Sequence, residues 1–353
     1  MKIGILTFTY GDNYGQRLQN YAMQKILENK GHSVYTIKQN KPKISIKRKI
    51  KTSLKKVIYF KTAQKVNQRA KSFELFDKTY IKYFPIILHG NQDAKLINES
   101  FDMFIAGSDQ VWSPFSSDVN ENFFLTFADK EKRVAYAPSL AAEYIPENKK
   151  ESYIHWIKGF SYLSVREEKG AELIKDLTGR AAEVVLDPTL LLSKEEWLDI
   201  IQQPNKIINE KYILALYLGE EYQKQCEQIS KQLNMKLVII NPKISNESPS
   251  QLLYLIEHAK LVLTDSFHVT VFSIILHRPF ITFDRQGNSI NMSSRFQTLF
   301  NKLGIKNRFW SEIESTPNEW LKMDYEFIDA KLNEEKVKSN QFLDHALESR
   351  INL

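Results

Sequence analysis

The side chains best placed to do chemistry stand at one junction, Thr264-Asp265-Ser266-Phe267-His268. Leu261 to Leu263 is too short and apolar a run for anything but a buried strand, and Phe280 to Phe283 repeats the pattern after Pro279. Between them the spacing predicts a sharp turn and a short helix, with Asp265 or Ser266 as its N-cap. The first free N–H groups of such a helix face the space beyond the carboxyl end of the strand, where open α/β sheets bind ligands. His268 falls in that first turn. An imidazole beside an electropositive helix start suits an anionic ligand; the position equally suits a histidine that only packs and hydrogen-bonds.

Further polar residues sit at other strand ends. Phe101 to Ala106 reads as a buried strand ending in Gly107-Ser108-Asp109-Gln110-Val111-Trp112, which makes Asp109 and Gln110 candidates. Tyr162 to Val165 leads into Arg166-Glu167-Glu168, where Ser164 and Glu167 have capping-box spacing; Arg166 then lies near the strand ends, or pairs with a neighbouring glutamate. Ser293-Ser294-Arg295 precedes a helix stopped by Gly304, so Arg295 is a helix-start residue that suits an anionic ligand or, equally, a pairing with a carboxylate. Near the N-terminus, Lys2 to Thr9 is a strand, followed by a Gly/Asn-rich loop and a helix ending at Gly31. Gly11 and Gly15 alone do not make the dinucleotide fingerprint. Asn13 and Gln19 in that stretch can hydrogen-bond a sugar or phosphate, or can cap and pack.

These junctions require alternating strands and helices in two runs, hence an α/β protein with two Rossmann-like domains. The first covers residues 1–200, with strands at Val34 to Ile37, Arg133 to Ala137 and Glu183 to Leu186, and carries a basic helical insertion at about 41–84. After a polar passage from Ser193 to Lys211, the second covers residues 211–310, with strands at Tyr212 to Leu218 and Lys236 to Ile240 and a capping box at Ser248-Pro249-Ser250-Gln251. Residues 311–353 form a helical tail expected to pack back on the first domain.

Composition narrows the classes. A chain of 353 residues with 42% hydrophobic content supports two packed cores. The net charge of +7 is local: residues 41–71 hold 12 Lys/Arg and no acid, leaving 37 bases against 42 acids elsewhere. That pattern carries no nucleic-acid signature. Ile46, Ile50, Leu54, Val57 and Ile58 give the basic segment an amphipathic face, which suits an inserted helical hairpin or, at most, peripheral contact with an anionic membrane. The single Cys226 excludes an internal disulfide, and no Cys/His cluster has zinc spacing, so no metal is expected. No signal-peptide pattern and no apolar run of spanning length is present, so the expected location is the cytoplasm, including the inner face of the membrane.

Taken in order, Asn13-Tyr14-Gly15 with Leu18-Gln19 and Tyr21-Ala22, Gly107 to Trp112, Ser164-Val165-Arg166-Glu167, Leu186-Asp187-Pro188-Thr189 and Thr264 to His268 resemble the polysaccharide pyruvyl transferase family, over about residues 3 to 304. The resemblance implies a GT-B-like fold with the site in the interdomain cleft. It also implies transfer of the pyruvyl group of phosphoenolpyruvate to hydroxyls of a cell-surface saccharide precursor, as a pyruvate ketal, with no cofactor beyond the donor itself. The acceptor in such pathways is often lipid-linked. On that reading His268 is the general acid and Asp109 the base; Arg166, Ser266 and Arg295 bind the donor; Asn13, Gln19 and Gln110 face the acceptor. Better-studied members commonly have arginine two residues before the histidine and often glycine after it, where this chain has Ser266 and Val269. The other readings are a nucleotide-sugar glycosyltransferase and a non-catalytic saccharide-binding protein of the same fold.

Overall fold

A computed structural model describes residues 1–40, 60–219, 222–284 and 293–348. Its first sheet is wholly parallel, in the order β2-β1-β3-β4-β5-β6. The strands are β1 (Lys2–Leu6), β2 (Ser33–Thr36), β3 (Met103–Ala106), β4 (Arg133–Ala135), β5 (Tyr162–Val165) and β6 (Glu183–Val184). Helices α1 (Tyr14–Asn29), α2 (Phe60–Tyr80), α3 (Asn91–Ser100), α4 (Glu147–Ile157) and α5 (Glu168–Thr178) connect them. β1 and β3 read as near-continuous apolar runs because helices cover both faces of a parallel sheet. Asn13 caps α1 by accepting from Gln16 N at 3.3 Å, and the chain leaves the helix at Gly31 with φ +83°.

After α6 (Lys194–Leu198), a four-stranded parallel sheet in the order β10-β9-β7-β8 forms from β7 (Tyr212–Leu216), β8 (Lys236–Ile239), β9 (Leu261–Thr264) and β10 (Phe280–Thr282). Its helices are α7 (Gln223–Leu233), α8 (Pro249–His258) and α9 (Phe267–Ile275), followed by α10 (Ser293–Leu303) and α11 (Trp310–Ile313). The capping box read at Ser248 and Gln251 forms, with Pro249 in the first turn of α8. The last helix, α12 (Tyr325–Glu348), returns to the first sheet: Ser339 Oγ accepts from Leu186 N at 3.0 Å, and Phe342 packs on Tyr136. Trp197 of α6 seals the two units, tilted on Tyr21 of α1 and edge-on to Phe272 of α9 at 4.7 Å.

Several local expectations change. β7 and β6 stop at Leu216 and Val184, short of the strand ends read from the sequence, because Leu218 N turns to the Asp265 carboxylate and Leu186 N to Ser339 Oγ. Ser164 and Glu167 do not form a capping box. Ser164 Oγ donates to Ala135 O and accepts from Ala137 N, whereas Glu167 Oε1 accepts from Ser139 Oγ, Leu140 N and Ala141 N. Both side chains shape the loop after β4 instead. Of the basic segment, residues 60–71 lie in α2, while the amphipathic stretch from Ile46 to Ile58 lies outside the described residues.

Candidate active site

In each sheet the strand order reverses once, between β1 and β3 and between β7 and β9. Loops leaving such a switch point diverge and open a crevice at the carboxyl ends of the strands. The two crevices face each other. Their loops line one cleft of about 600 Å³, with Tyr10 to Gln16, Asp109 and Gln110 on one wall and Leu216, Leu218 and Ser266 to Val269 on the other; Arg295 closes one side.

The β9–α9 junction is built differently from its sequence reading. Asp265 is buried, and its carboxylate accepts from Leu218 N at 2.8 Å and Gly219 N at 3.0 Å, which fixes the loop after β7. Ser266 is the N-cap residue, in extended conformation and without a side-chain cap bond. Its backbone N–H is taken by Thr264 Oγ1 at 3.0 Å. The opening N–H groups of α9 therefore face the cleft with the positive end of the helix dipole. The N-terminus of α1, at Tyr14 and Gly15, lines the same space.

His268 is only 8% exposed. It belongs to the second unit but sits on the first: Nε2 is 3.5 Å from Asp187 Oδ2, and the Nδ1 edge lies against Gly15. Asp187 is the hub. Its Oδ2 accepts from Arg166 Nη1 at 2.6 Å and Ser108 Oγ at 2.9 Å, and its Oδ1 from Thr189 N at 3.0 Å and Thr189 Oγ1 at 2.6 Å. Burial pushes this carboxyl up, but the positive side chains of His268 and Arg166 and the hydrogen bonds from Thr189 outweigh it, holding Asp187 well below the usual carboxylate range. The carboxylate stands on the Nε2 side of the ring, where Nε2 makes no hydrogen bond, and the Nδ1 edge is the one turned to Gly15 in the cleft wall.

Arg166 is buried behind Phe267, its guanidinium 4.3 Å from the ring centroid, and it does not line the cleft. Its partner is Asp187 rather than a glutamate; Nη2 reaches Asp109 only at 4.0 Å, and Nε and Nη2 make no hydrogen bond. Arg295, 5.6 Å from the same ring, does line the cleft. With its amide oxygen turned toward Arg295, Gln110 accepts from Nη1 at 3.1 Å and Nη2 at 3.2 Å. Asp109 lines the cleft with a left-handed φ of +68°, a conformation held where its carbonyl accepts from Ser139 N at 2.8 Å. Asn13 and Ser266 also line it.

Two of the candidates, Arg166 read as donor-binding and Gln19 read as acceptor-binding, do not line the cleft. Gln19 is 0% exposed, and its Nε2 donates to Thr7 Oγ1 at 2.8 Å and Gln16 O at 3.1 Å, because its place in α1 turns it into the sheet. Two contributors went unread in the sequence. The sequence marks Asp187 only as an Asp-Pro turn after a strand and as part of the Leu186-Asp187-Pro188-Thr189 match, with no role in the site. Arg69 of α2 reaches the cleft, 2% exposed, donating to Asp12 O, Ser245 O and the Tyr14 hydroxyl, and so ties the loops of the two units together. Among the described residues no group of His, Cys, Asp and Glu could hold a metal ion, and no helix is long and apolar enough to cross a membrane.

The sequence model of the family described as polysaccharide pyruvyl transferase matches residues 13–287, a span that holds the cleft loops from Asn13 to His268. The chain belongs to the polysaccharide pyruvyl transferase family. In this chain the Asp-Pro turn at Asp187 and the histidine-bearing helix start meet in one cluster. Among curated proteins none matches the chain. Among solved structures it is similar to the UDP-GlcNAc 2-epimerase of Methanocaldococcus jannaschii in complex with UDP-GlcNAc and UDP, at 14% identity and TM-score 0.53, covering 92% of this chain and 94% of that one. The UDP-N-acetylglucosamine 2-epimerase of Rickettsia bellii gives 11% identity and TM-score 0.52, covering 100% and 97%. The likeness is one of fold: two Rossmann-like domains facing a cleft, GT-B-like.

Proposed function

We propose that this pyruvyl transferase family member moves the pyruvyl group of phosphoenolpyruvate onto two hydroxyls of a saccharide, forming a ketal and releasing phosphate, and that it draws on no further cofactor. The observation that carries the reading is His268, held by Asp187 with Nδ1 toward a cleft where Arg295 and two helix N-termini offer positive potential. A small ligand with both phosphate and carboxylate matches that set. His268 Nδ1–H protonates the methylene carbon of the donor, which leaves C2 electron-poor. A sugar hydroxyl adds to C2 and gives its proton to Asp109. A second hydroxyl of the same sugar then displaces phosphate from C2, its proton leaving on the phosphate, and the ketal closes. Arg295 and the opening N–H groups of α9 hold the phosphate; Arg166 acts from behind Phe267, through Asp187. Asn13 and Gln110 stand on the wall left for the acceptor, which a lipid-linked saccharide precursor at the cytoplasmic face of a membrane would enter from the open side.

Thermal denaturation with phosphoenolpyruvate and, separately, with UDP- and GDP-sugars tests the donor. Phosphoenolpyruvate at a hundredfold excess over its dissociation constant should stabilise the fold by about 2.7 kcal/mol. Stabilisation by a nucleotide sugar alone would place the glycosyltransferase reading first. Binding of phosphoenolpyruvate without phosphate release across a panel of sugar glycosides would instead favour a non-catalytic saccharide-binding protein.

A further inference from the structure

Gly15 lies inside α1 and is not among the glycines with positive φ, so its backbone makes no demand for glycine. Space does. A Cβ at Gly15 would fall 2.0 Å from Nδ1, 2.5 Å from Cγ and 2.6 Å from Cε1 of His268. The three nearest atoms all belong to that one ring, and real Cβ contacts do not occur below 3.0 Å. The ring has little room to retreat: Asp187 stands 3.5 Å from Nε2, and Phe267 presents its edge with centroids 5.5 Å apart. Gly15 and Asp187 belong to the first unit, His268 to the second.

Resting on the reading of His268 as the acid, we propose that Gly15 is a positioning residue. It is glycine so that the backbone of α1 can press on the imidazole and hold Nδ1 at the cleft floor. The acid is thus assembled from both domains: one supplies the ring, the other supplies the two faces that fix it. Any side chain at residue 15 displaces the proton-bearing atom without touching the donor's phosphate contacts at Arg295 and α9.

The test uses Gly15→Ala, His268→Ala and the double variant of the full chain, with histidine labelled with ¹⁵N. Of the seven histidines, His268 is assigned by the signal lost in His268→Ala. In Gly15→Ala the ring nitrogens of His268 should shift while the other six stay, and the melting temperature should fall. In the His268→Ala background the same substitution should no longer lower the melting temperature, since alanine is the better helix former once the ring is gone. Turnover of Gly15→Ala should drop about 10²-fold, with KM for phosphoenolpyruvate nearly kept, as for a misplaced catalytic group. Should Gly15→Ala not fold, recovery of the fold in the double variant gives the same support. Unmoved His268 signals, or an equal loss of melting temperature in both backgrounds, overturn the proposal. Failure of the donor reading looks different: no stabilisation by phosphoenolpyruvate, with the coupling between residues 15 and 268 intact, which still supports Gly15 as the residue that positions the ring.

Discussion

Asp187→Asn is the substitution whose cost follows most directly from the geometry. The change keeps size and shape but removes the one buried anion shared by Arg166, at 2.6 Å, and His268, at 3.5 Å. The asparagine oxygen can still accept both bonds from Thr189; its NH₂ group then faces the Arg166 guanidinium, donor against donor. Charge centres about 4 Å apart attract by about 4 kcal/mol at an effective dielectric constant of about 20. Removing one partner of a buried pair costs about 3–5 kcal/mol, because the other charge stays buried and unpaired. Against a typical stability of about 5–15 kcal/mol, the variant should fold with a much lower denaturation midpoint. The pH dependence has a definite sign. The folded carboxyl sits below its ordinary 3.8, so its stabilisation is complete above about pH 4 and is lost as pH falls toward the depressed folded value. The gap between wild type and variant, measured by urea unfolding, should narrow as pH falls below about 4. Adding Arg166→Met removes the orphaned cation, so the double variant should be more stable than Asp187→Asn alone. A loss under about 1 kcal/mol at pH 7, or strictly additive effects of the two substitutions, would refute the account of Asp187 as a buried counter-charge.

His268→Ala should lower turnover by about 10²- to 10⁴-fold while donor binding weakens far less, since Arg295 and the α9 N–H groups remain; full activity in this variant would remove the residue from the mechanism. Because the ring is buried on Gly15, its loss should also lower the melting temperature modestly. The segment from residue 41 to 71, with 12 bases and no acid, should bind anionic vesicles in sedimentation assays only at low salt; tight retention at high salt would contradict a purely electrostatic contact.

The parts of the fold legible in the sequence are those fixed by local pattern. Leu261 to Leu263 and Met103 to Ala106 are apolar runs that only a strand covered on both faces explains, and Gly31 and Gly304 mark helix ends with φ of +83° and +64°. The site was legible as strand-end junctions and not as contacts. Glu167 fits a capping box by spacing, yet three donors from the loop after β4 claim it, a competition invisible without the neighbouring strand. Gln19 is polar and close to the loop, but one helical turn rotates it into the sheet. Asp187 was overlooked because its partners come from three other places in the chain.

The return of α12 to the first sheet sets a timetable for synthesis. Phe342, Leu343, Ala346 and Leu347 pack in the same cluster as Ile3, Ile5 and Val134, and Lys30 meets Asp344. A nascent chain emerges N-terminus first, so the first domain leaves the ribosome with part of its core uncovered and waits for the entire second domain before the last helix can close it. A chain interrupted in its final turns exposes apolar surface on the half that was finished first.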